Sequence, residues 1–146
     1  MAQSLLTPQT PGAGVQTNKV VVALVDKRRI KGFVYNFSAV RETFSVFPTE
    51  SAQKGEATDV QLRNVKAVFF VKDFAGNSSR SDVQSPEQLG RGRRMEIVFR
   101  DGEKMIGTTE AYHPQKPGFF IFPADRDGNN RRVFVVNANL RSVKFL

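Results

Sequence analysis

Asp26, Gly32, Phe44, Phe47 and Pro48 recur as Asp101, Gly107, Phe119, Phe122 and Pro123, each pair 75 positions apart. A repeat this regular constrains the fold before any propensity is consulted, because it divides the chain into two units that must fold alike. Leu62-Arg63-Asn64-Val65-Lys66 also recurs, as Leu140-Arg141-Ser142-Val143-Lys144, but at a spacing of 78, which implies about three extra residues in the second copy. Units of roughly 55 residues bury a marginal core on their own, so the copies are expected to pack together as a pseudo-dimer or to self-associate.

Each copy reads as five strands. Val20, Val22 and Leu24 alternate with Val21, Ala23 and Val25, and Met95, Ile97 and Phe99 alternate with Glu96, Val98 and Arg100. The second copy therefore has a wet face where the first does not, so the face of Val21, Ala23 and Val25 is expected to be covered, by the other copy or by another chain. Asp101-Gly102 predicts a type I′ hairpin turn, and Lys27 in place of that glycine predicts a different turn in copy one. Gly32 and Gly107 fall mid-strand, where a glycine permits a sharp bend or a close backbone approach. The remaining strands are Phe44 to Phe47 and Phe119 to Phe122, both stopped by proline, then Val60 to Leu62 with Val65 to Val71, and Val133 to Val136 with Leu140 to Phe145.

The organisation that follows is an uncharged, disordered tail over 1–17, a first repeat over 18–74, a linker over 75–92 and a second repeat over 93–146. The linker is polar and turn-rich, with room for a short helical turn from Pro86 to Leu89 capped by Ser85. No apolar run approaches the roughly 20 residues of a membrane span, and Met1 to Asn18 lacks the basic start and apolar middle of a signal peptide. The absence of cysteine excludes disulfides, thiol nucleophiles and thiolate metal sites, and makes the cytoplasm the default compartment.

Five short strands, with Asp-Gly in the first hairpin, a glycine midway along the second strand and an aromatic five residues later, resemble the Sm-like barrel of Sm, LSm and Hfq proteins. The carrying segments are Gly32-Phe33-Val34-Tyr35-Asn36-Phe37-Ser38 and Gly107-Thr108-Thr109-Glu110-Ala111-Tyr112-His113. The resemblance implies an all-β fold of two tandem, strongly bent five-stranded small barrels. It does not imply uridine binding, because the family's aspartate after the aromatic is Ser38 in one copy and His113 in the other. The family's R-G turn falls at Val136-Asn137 in copy two and at a shorter Arg63-Asn64 turn in copy one.

The whole string is also similar to an uncharacterised bacterial family of tandem small barrels, on the segments Lys66-Ala67-Val68-Phe69-Phe70-Val71-Lys72-Asp73-Phe74 and Pro117-Gly118-Phe119-Phe120-Ile121-Phe122-Pro123-Ala124-Asp125. Relatives of that kind sometimes stand beside PilZ-type domains, which bind cyclic di-GMP. Asn36-Phe37-Ser38-Ala39-Val40-Arg41 matches the N-x-S part of the PilZ signature but carries Arg41 where glycine belongs. A cyclic-dinucleotide receptor is thus a third functional reading.

Little in the chain points to catalysis. His113 is the single histidine and sits beside Pro114, where a solvated loop position explains it. Asp125-Arg126-Asp127-Gly128-Asn129-Asn130 has some of the composition of a calcium loop but lacks its spacing and distal glutamate, and reads as a hairpin turn. No cofactor or metal is expected, and the protein is read as non-enzymatic.

Charge is the stronger signal. The net charge is +8, from 22 basic against 14 acidic residues, and favours anionic partners, nucleic acid or nucleotides first. Candidate contacts are Lys27, Arg28, Arg29 and Lys31, then Arg91, Arg93 and Arg94, then Arg126, Arg131 and Arg132, all near turns or strand ends. Phe37 and Tyr112 are candidate stacking faces for bases, with a place in the barrel core as the competing reading. The rival function is a protein-interaction or assembly module acting through the face of Val21, Ala23 and Val25 or through a sheet edge.

Overall fold

The computed structural model of the chain describes residues 17–38, 40–74, 92–124 and 128–146. Residues 1–16 of the tail, nearly all of the linker with its helical turn, Arg91 and Arg126 lie outside them, while Thr17, read as the end of the tail, is the first residue of a strand. The strands are β1 (Thr17–Leu24), β2 (Arg29–Tyr35), β3 (Thr43–Val46), β4 (Thr58–Gln61) and β5 (Val65–Val71), then β6 (Arg93–Phe99), β7 (Lys104–Thr109), β8 (Gly118–Pro123), β9 (Asn130–Val136) and β10 (Leu140–Phe145). Among the described residues only loops and three-residue 3-10 turns lie between them, so the described chain is all-β.

Eight strands form one antiparallel sheet in the order β10-β6-β7-β8-β9-β5-β1-β2, and β3 pairs with β4 in a small second sheet. A bridge between Phe33 and Phe47 connects the two. Neither sheet closes into a barrel. Within each repeat the neighbours run β5-β1-β2-β3-β4 and β10-β6-β7-β8-β9, and the pairing of β5 with β9 joins the repeats.

The spacing is 75 throughout. Leu24 faces Val65 and Phe99 faces Leu140, Val20 faces Phe70 and Met95 faces Phe145, and Phe44 faces Val60 as Phe119 faces Val135. The match at 78 and the three extra residues it implied are therefore corrected: Leu140 is the counterpart of Val65, not of Leu62. Arg63-Asn64 corresponds to Ala138-Asn139, in 3-10 turns of equal length, Leu62–Asn64 and Asn137–Asn139.

The first hairpin turns are also alike. Lys27 and Gly102 both adopt positive φ, 76° and 93°. Their N–H groups donate to Leu24 O at 3.0 Å and Phe99 O at 2.9 Å, and Asp26 and Asp101 each accept the N–H two residues on at 3.0 Å. Only the last loop residue is left-handed, so this is a three-residue loop and not a type I′ turn. Lys27 adopts the glycine conformation at a steric cost instead of changing the turn.

The mid-strand glycines are explained by contact. A Cβ on Gly32 would lie 2.6 Å from Val46 Cγ1 and overlap the carbonyl oxygen of Phe47. A Cβ on Gly107 would lie 2.8 Å from Ile121 Cγ1 and overlap the carbonyl oxygen of Phe122. At these points the second strand of each repeat crosses close over the third.

Two cores result, and they share a wall. Val20, Val22, Leu24, Val34, Val65, Val68 and Phe70 pack with Phe134 and Val136 of the other repeat. Met95, Ile97, Phe99, Phe119, Val133 and Val135 pack with Ala67 of the first. Side chains of Ala67–Phe70 in β5 and Val133–Val136 in β9 thus alternate between the cores, and burial on both faces is why these two stretches read as unbroken apolar runs. Val21 and Ala23 are buried within the chain as well, while Val25 is 52% exposed.

Two sets of substitutions test the fold. Gly32→Ala and Gly107→Ala should each cost about 2–3 kcal/mol in denaturant melts, because backbone must shift to admit the methyl. Lys27→Gly should stabilise by about 0.5–1 kcal/mol and Gly102→Lys should destabilise by a similar amount, since the two positions share one left-handed turn.

Candidate functional site

The strongest charge constellation lies where the two hairpin turns approach each other across the β5–β9 junction. Counting 75 along, Arg28 corresponds to Glu103, Arg29 to Lys104 and Lys31 to Ile106, so the turn of copy one is basic and that of copy two is acidic. A groove of about 730 Å³ separates them, lined by Lys27, Arg28 and Arg29 on one side and by Arg100, Asp101 and Glu103 on the other. Ala23, Leu24 and Phe99 supply apolar lining. A smaller cavity of about 330 Å³ shares Arg29 and Glu103 with it and adds Lys31, Val21, Phe69 and Phe74.

Lys66 holds the acidic side in place. The pairing of β1 with β5 skips this residue, Ala23 facing Ala67 and Leu24 facing Val65, so Lys66 occupies a β-bulge that re-aims its side chain. Its Nζ donates to Asp101 Oδ2 at 2.8 Å and to Glu103 Oε1, and lies 4.6 Å from the centre of the Phe99 ring. Burial opposes the charge on Lys66, but the hydrogen bonds to Asp101 and Glu103 outweigh it and raise the pKa of the amine. Asp101 is held below its usual value by Lys66 first, then by the Glu103 N–H. Its counterpart Asp26 is lowered by the Arg28 N–H and guanidinium, the latter at 2.7 Å in a solvent-exposed pair.

Hydrogen bonds also cross the junction. Asn139 Nδ2 donates to Val65 O at 2.7 Å and to Arg63 O at 3.2 Å. Within the second repeat, Arg100 Nε donates to Ala138 O at 3.0 Å, which holds that arginine at the groove wall.

The sequence-predicted residues thus separate into groups. Lys27, Arg28, Arg29 and Lys31 come together around the groove. Arg93 and Arg94 stand at the far end of β6, about 20 Å from Phe99 at six strand residues. There the Arg93 guanidinium stacks 3.7 Å from the centre of the Phe145 ring. Arg131 is exposed on β9, and Arg132 lies between the rings of Phe70 and Phe120, at 4.5 and 4.3 Å, where burial lowers its pKa. Arg100 and Lys66 were missed by sequence reasoning. Arg100 occupies the place of Val25 in the repeat, and Lys66 interrupts an otherwise apolar strand; both are visible only once the copies are aligned at 75.

The stacking candidates are already stacked on protein. Phe37 makes edge-to-face contacts with Phe44, Phe70, Phe120 and Phe134 at 5.2–6.1 Å, and Tyr112 does so with Phe119 at 4.9 Å and Phe145 at 5.5 Å. His113 has an exposed side chain, and its carbonyl accepts from Asn137 Nδ2 at 2.9 Å. Of the segment with calcium-loop composition, Asn129 binds the end of β5, donating to Asp73 O at 2.8 Å and accepting from Asp73 N at 3.0 Å.

Over residues 16–146 the chain matches the family of unknown function DUF6982, and it belongs to that family. No curated protein and no solved structure matches it. Among the described residues no helix is long and apolar enough to cross a membrane.

The Lys66 cluster gives a pH signature. Asp101, with a lowered folded pKa, contributes stability above about pH 4 that fades as pH falls further, and Lys66, with a raised one, loses its contribution only as pH rises beyond the ordinary lysine range. Lys66→Met, which keeps the apolar stem near Phe99, should cost about 1–2 kcal/mol at pH 7, and the cost should shrink as the pH falls through the lowered folded pKa of Asp101, measured by urea melts across the acid range.

Proposed function

We propose that the protein is a non-catalytic binding module that engages an anionic partner, nucleic acid first, in the groove between its two repeats. The observation that carries this reading is the convergence of Lys27, Arg28 and Arg29 from one repeat with Arg100 from the other on one groove with an apolar lining, with Lys31 in the adjoining cavity that shares Arg29. Arginine and lysine would contact phosphates, and the apolar lining would take the face of a base or sugar. Asp101 and Glu103 stand in the same groove, tied to Lys66, and would disfavour close approach of phosphate on that side. A strand would therefore lie toward the Arg28 and Arg29 wall.

We further read each repeat as an Sm-like barrel left open between its fourth and fifth strands. Support comes from the shared strand order, the glycine crossing in the second strand and the tight 3-10 turn before the fifth. Cytoplasmic residence accords with the absence of cysteine.

Titration of a labelled single-stranded oligonucleotide of mixed sequence tests the function. With four or five phosphates contacted, log Kobs should fall with log salt at a slope of about −3. Arg28→Glu with Arg29→Glu should abolish binding, and Arg93→Glu with Arg94→Glu should weaken it far less. A salt-independent affinity, or full binding by the Arg28/Arg29 variant, overturns the assignment.

A further inference from the structure

Phosphate binding gains nothing from a carboxylate, yet Glu103 lines both the groove and the cavity that adjoins it. The turn of copy two holds it there: the Glu103 N–H donates to Asp101 Oδ1 at 3.0 Å, and Lys66 Nζ donates to Glu103 Oε1. Asp101 is committed within the cluster, Oδ1 to that N–H and Oδ2 to Lys66 at 2.8 Å. Glu103 Oε2 accepts from no group among the described residues, and the side chain is 55% exposed. The groove thus presents a tethered carboxylate, an acceptor with no donor of its own, with one oxygen open.

The spacing across the groove suits a nucleotide lying from wall to wall. Arg29 of β2, Ala23 of β1 and Ala67 of β5 stand in one row, and Lys66 immediately precedes Ala67. The strand of the basic wall and the strand that holds Glu103 through Lys66 are therefore two strand spacings apart, about 10 Å. Ala23, Leu24 and Phe99 line the groove between them. Arg29 pairs with no carboxylate among the described residues, which leaves its guanidinium to a phosphate. Lys31 follows on the same face of β2, about 7 Å further along, in the adjoining cavity with Phe74. A nucleotide has the matching polarity, anionic at its phosphate and rich in hydrogen-bonding groups at its base edge.

We propose, on the nucleic-acid reading of the groove, that it selects an unpaired guanine, whose N1–H and N2 amine donate to the Glu103 carboxylate while the phosphate lies on Arg29. Guanine alone among the bases sets two neighbouring donors on its Watson–Crick edge, to match the two oxygens of a carboxylate. Oε1 keeps a lone pair beside Lys66, so both oxygens can take part. Adenine and cytosine set one amine beside an acceptor nitrogen, and thymine and uracil set one N–H between two carbonyls, so each of them turns an acceptor toward Glu103. In a duplex the same edge of guanine is covered by cytosine, which restricts the site to single strands.

The test measures binding of the full chain to a short labelled oligothymidylate by fluorescence anisotropy, with the central base left as thymine or replaced by guanine or hypoxanthine. Hypoxanthine keeps the N1–H and lacks the amine. The guanine strand should bind about tenfold more tightly than the all-thymine strand, with hypoxanthine between them, and a complementary strand should remove the advantage. Glu103→Gln should weaken the guanine strand but tighten the all-thymine strand, because it removes the acceptor pair and also a negative charge near phosphate. A variant that merely loosened the groove would weaken both. The hypoxanthine comparison needs no variant, so the proposal stays open to test even if Glu103→Gln does not fold. Equal binding of the guanine strand and either other strand, or a guanine advantage that survives Glu103→Gln, overturns the guanine assignment and leaves the phosphate groove standing. Binding of no strand overturns both.

Discussion

β5 and the Val133–Val136 stretch of β9 are packed on both faces. β5 places Val65, Val68 and Phe70 in the first core and Ala67 and Phe69 against the second, and β9 returns the arrangement by placing Phe134 and Val136 in the first core and Val133 and Val135 in the second. An isolated repeat would expose one side of its β5 or its β9. For units this small, whose own cores are marginal, sharing a wall raises the buried fraction of both without adding residues. The junction is also directional, joining the fifth strand of one copy to the fourth of the other, so it leaves one unlike edge at each end, β4 and β10.

That directionality explains where the copies diverged. Residues that build the hairpin, the glycine crossing and the register are the same or play the same part at 75 positions' distance. Residues at the junction differ. Lys66 fills a bulge at which its counterpart Arg141 instead donates to Arg100 O at 2.9 Å. The acids that meet Lys66, Asp101 and Glu103, correspond to Asp26 and Arg28, which pair with each other. One turn became an acidic clasp on the neighbouring repeat, and the other was left basic on the opposite wall of the same groove.

Much of this was legible in the sequence. Alternation in Met95, Ile97 and Phe99, the prolines after the third strands and the repeated Asp and Gly located all the strands and the crossings, because each depends on local geometry. The run Leu140-Arg141-Ser142-Val143-Lys144 misled, since its likeness to Leu62-Arg63-Asn64-Val65-Lys66 is one of composition. Strand register obeys the bulge and the 3-10 turn, and these restore 75. The turn at Lys27 misled for a different reason: its backbone is imposed by flanking hydrogen bonds, and a non-glycine residue bears the strain. Convergence of charges was beyond one-dimensional reading, because Arg93 and Arg100 are near in sequence yet at opposite ends of one strand, whereas Arg29 and Arg100 meet only through the β5–β9 pairing.

The shared wall makes the two repeats one cooperative unit. Urea unfolding of the full chain followed residue by residue by NMR tests it most directly, with Val22 reporting on the first core and Ile97 on the second. Both should lose native signal at one midpoint, and Phe134→Ala, which empties a site in the first core only, should lower both midpoints together by about 3–5 kcal/mol of stability. Two midpoints, or a shift confined to Val22, would show that the repeats unfold independently.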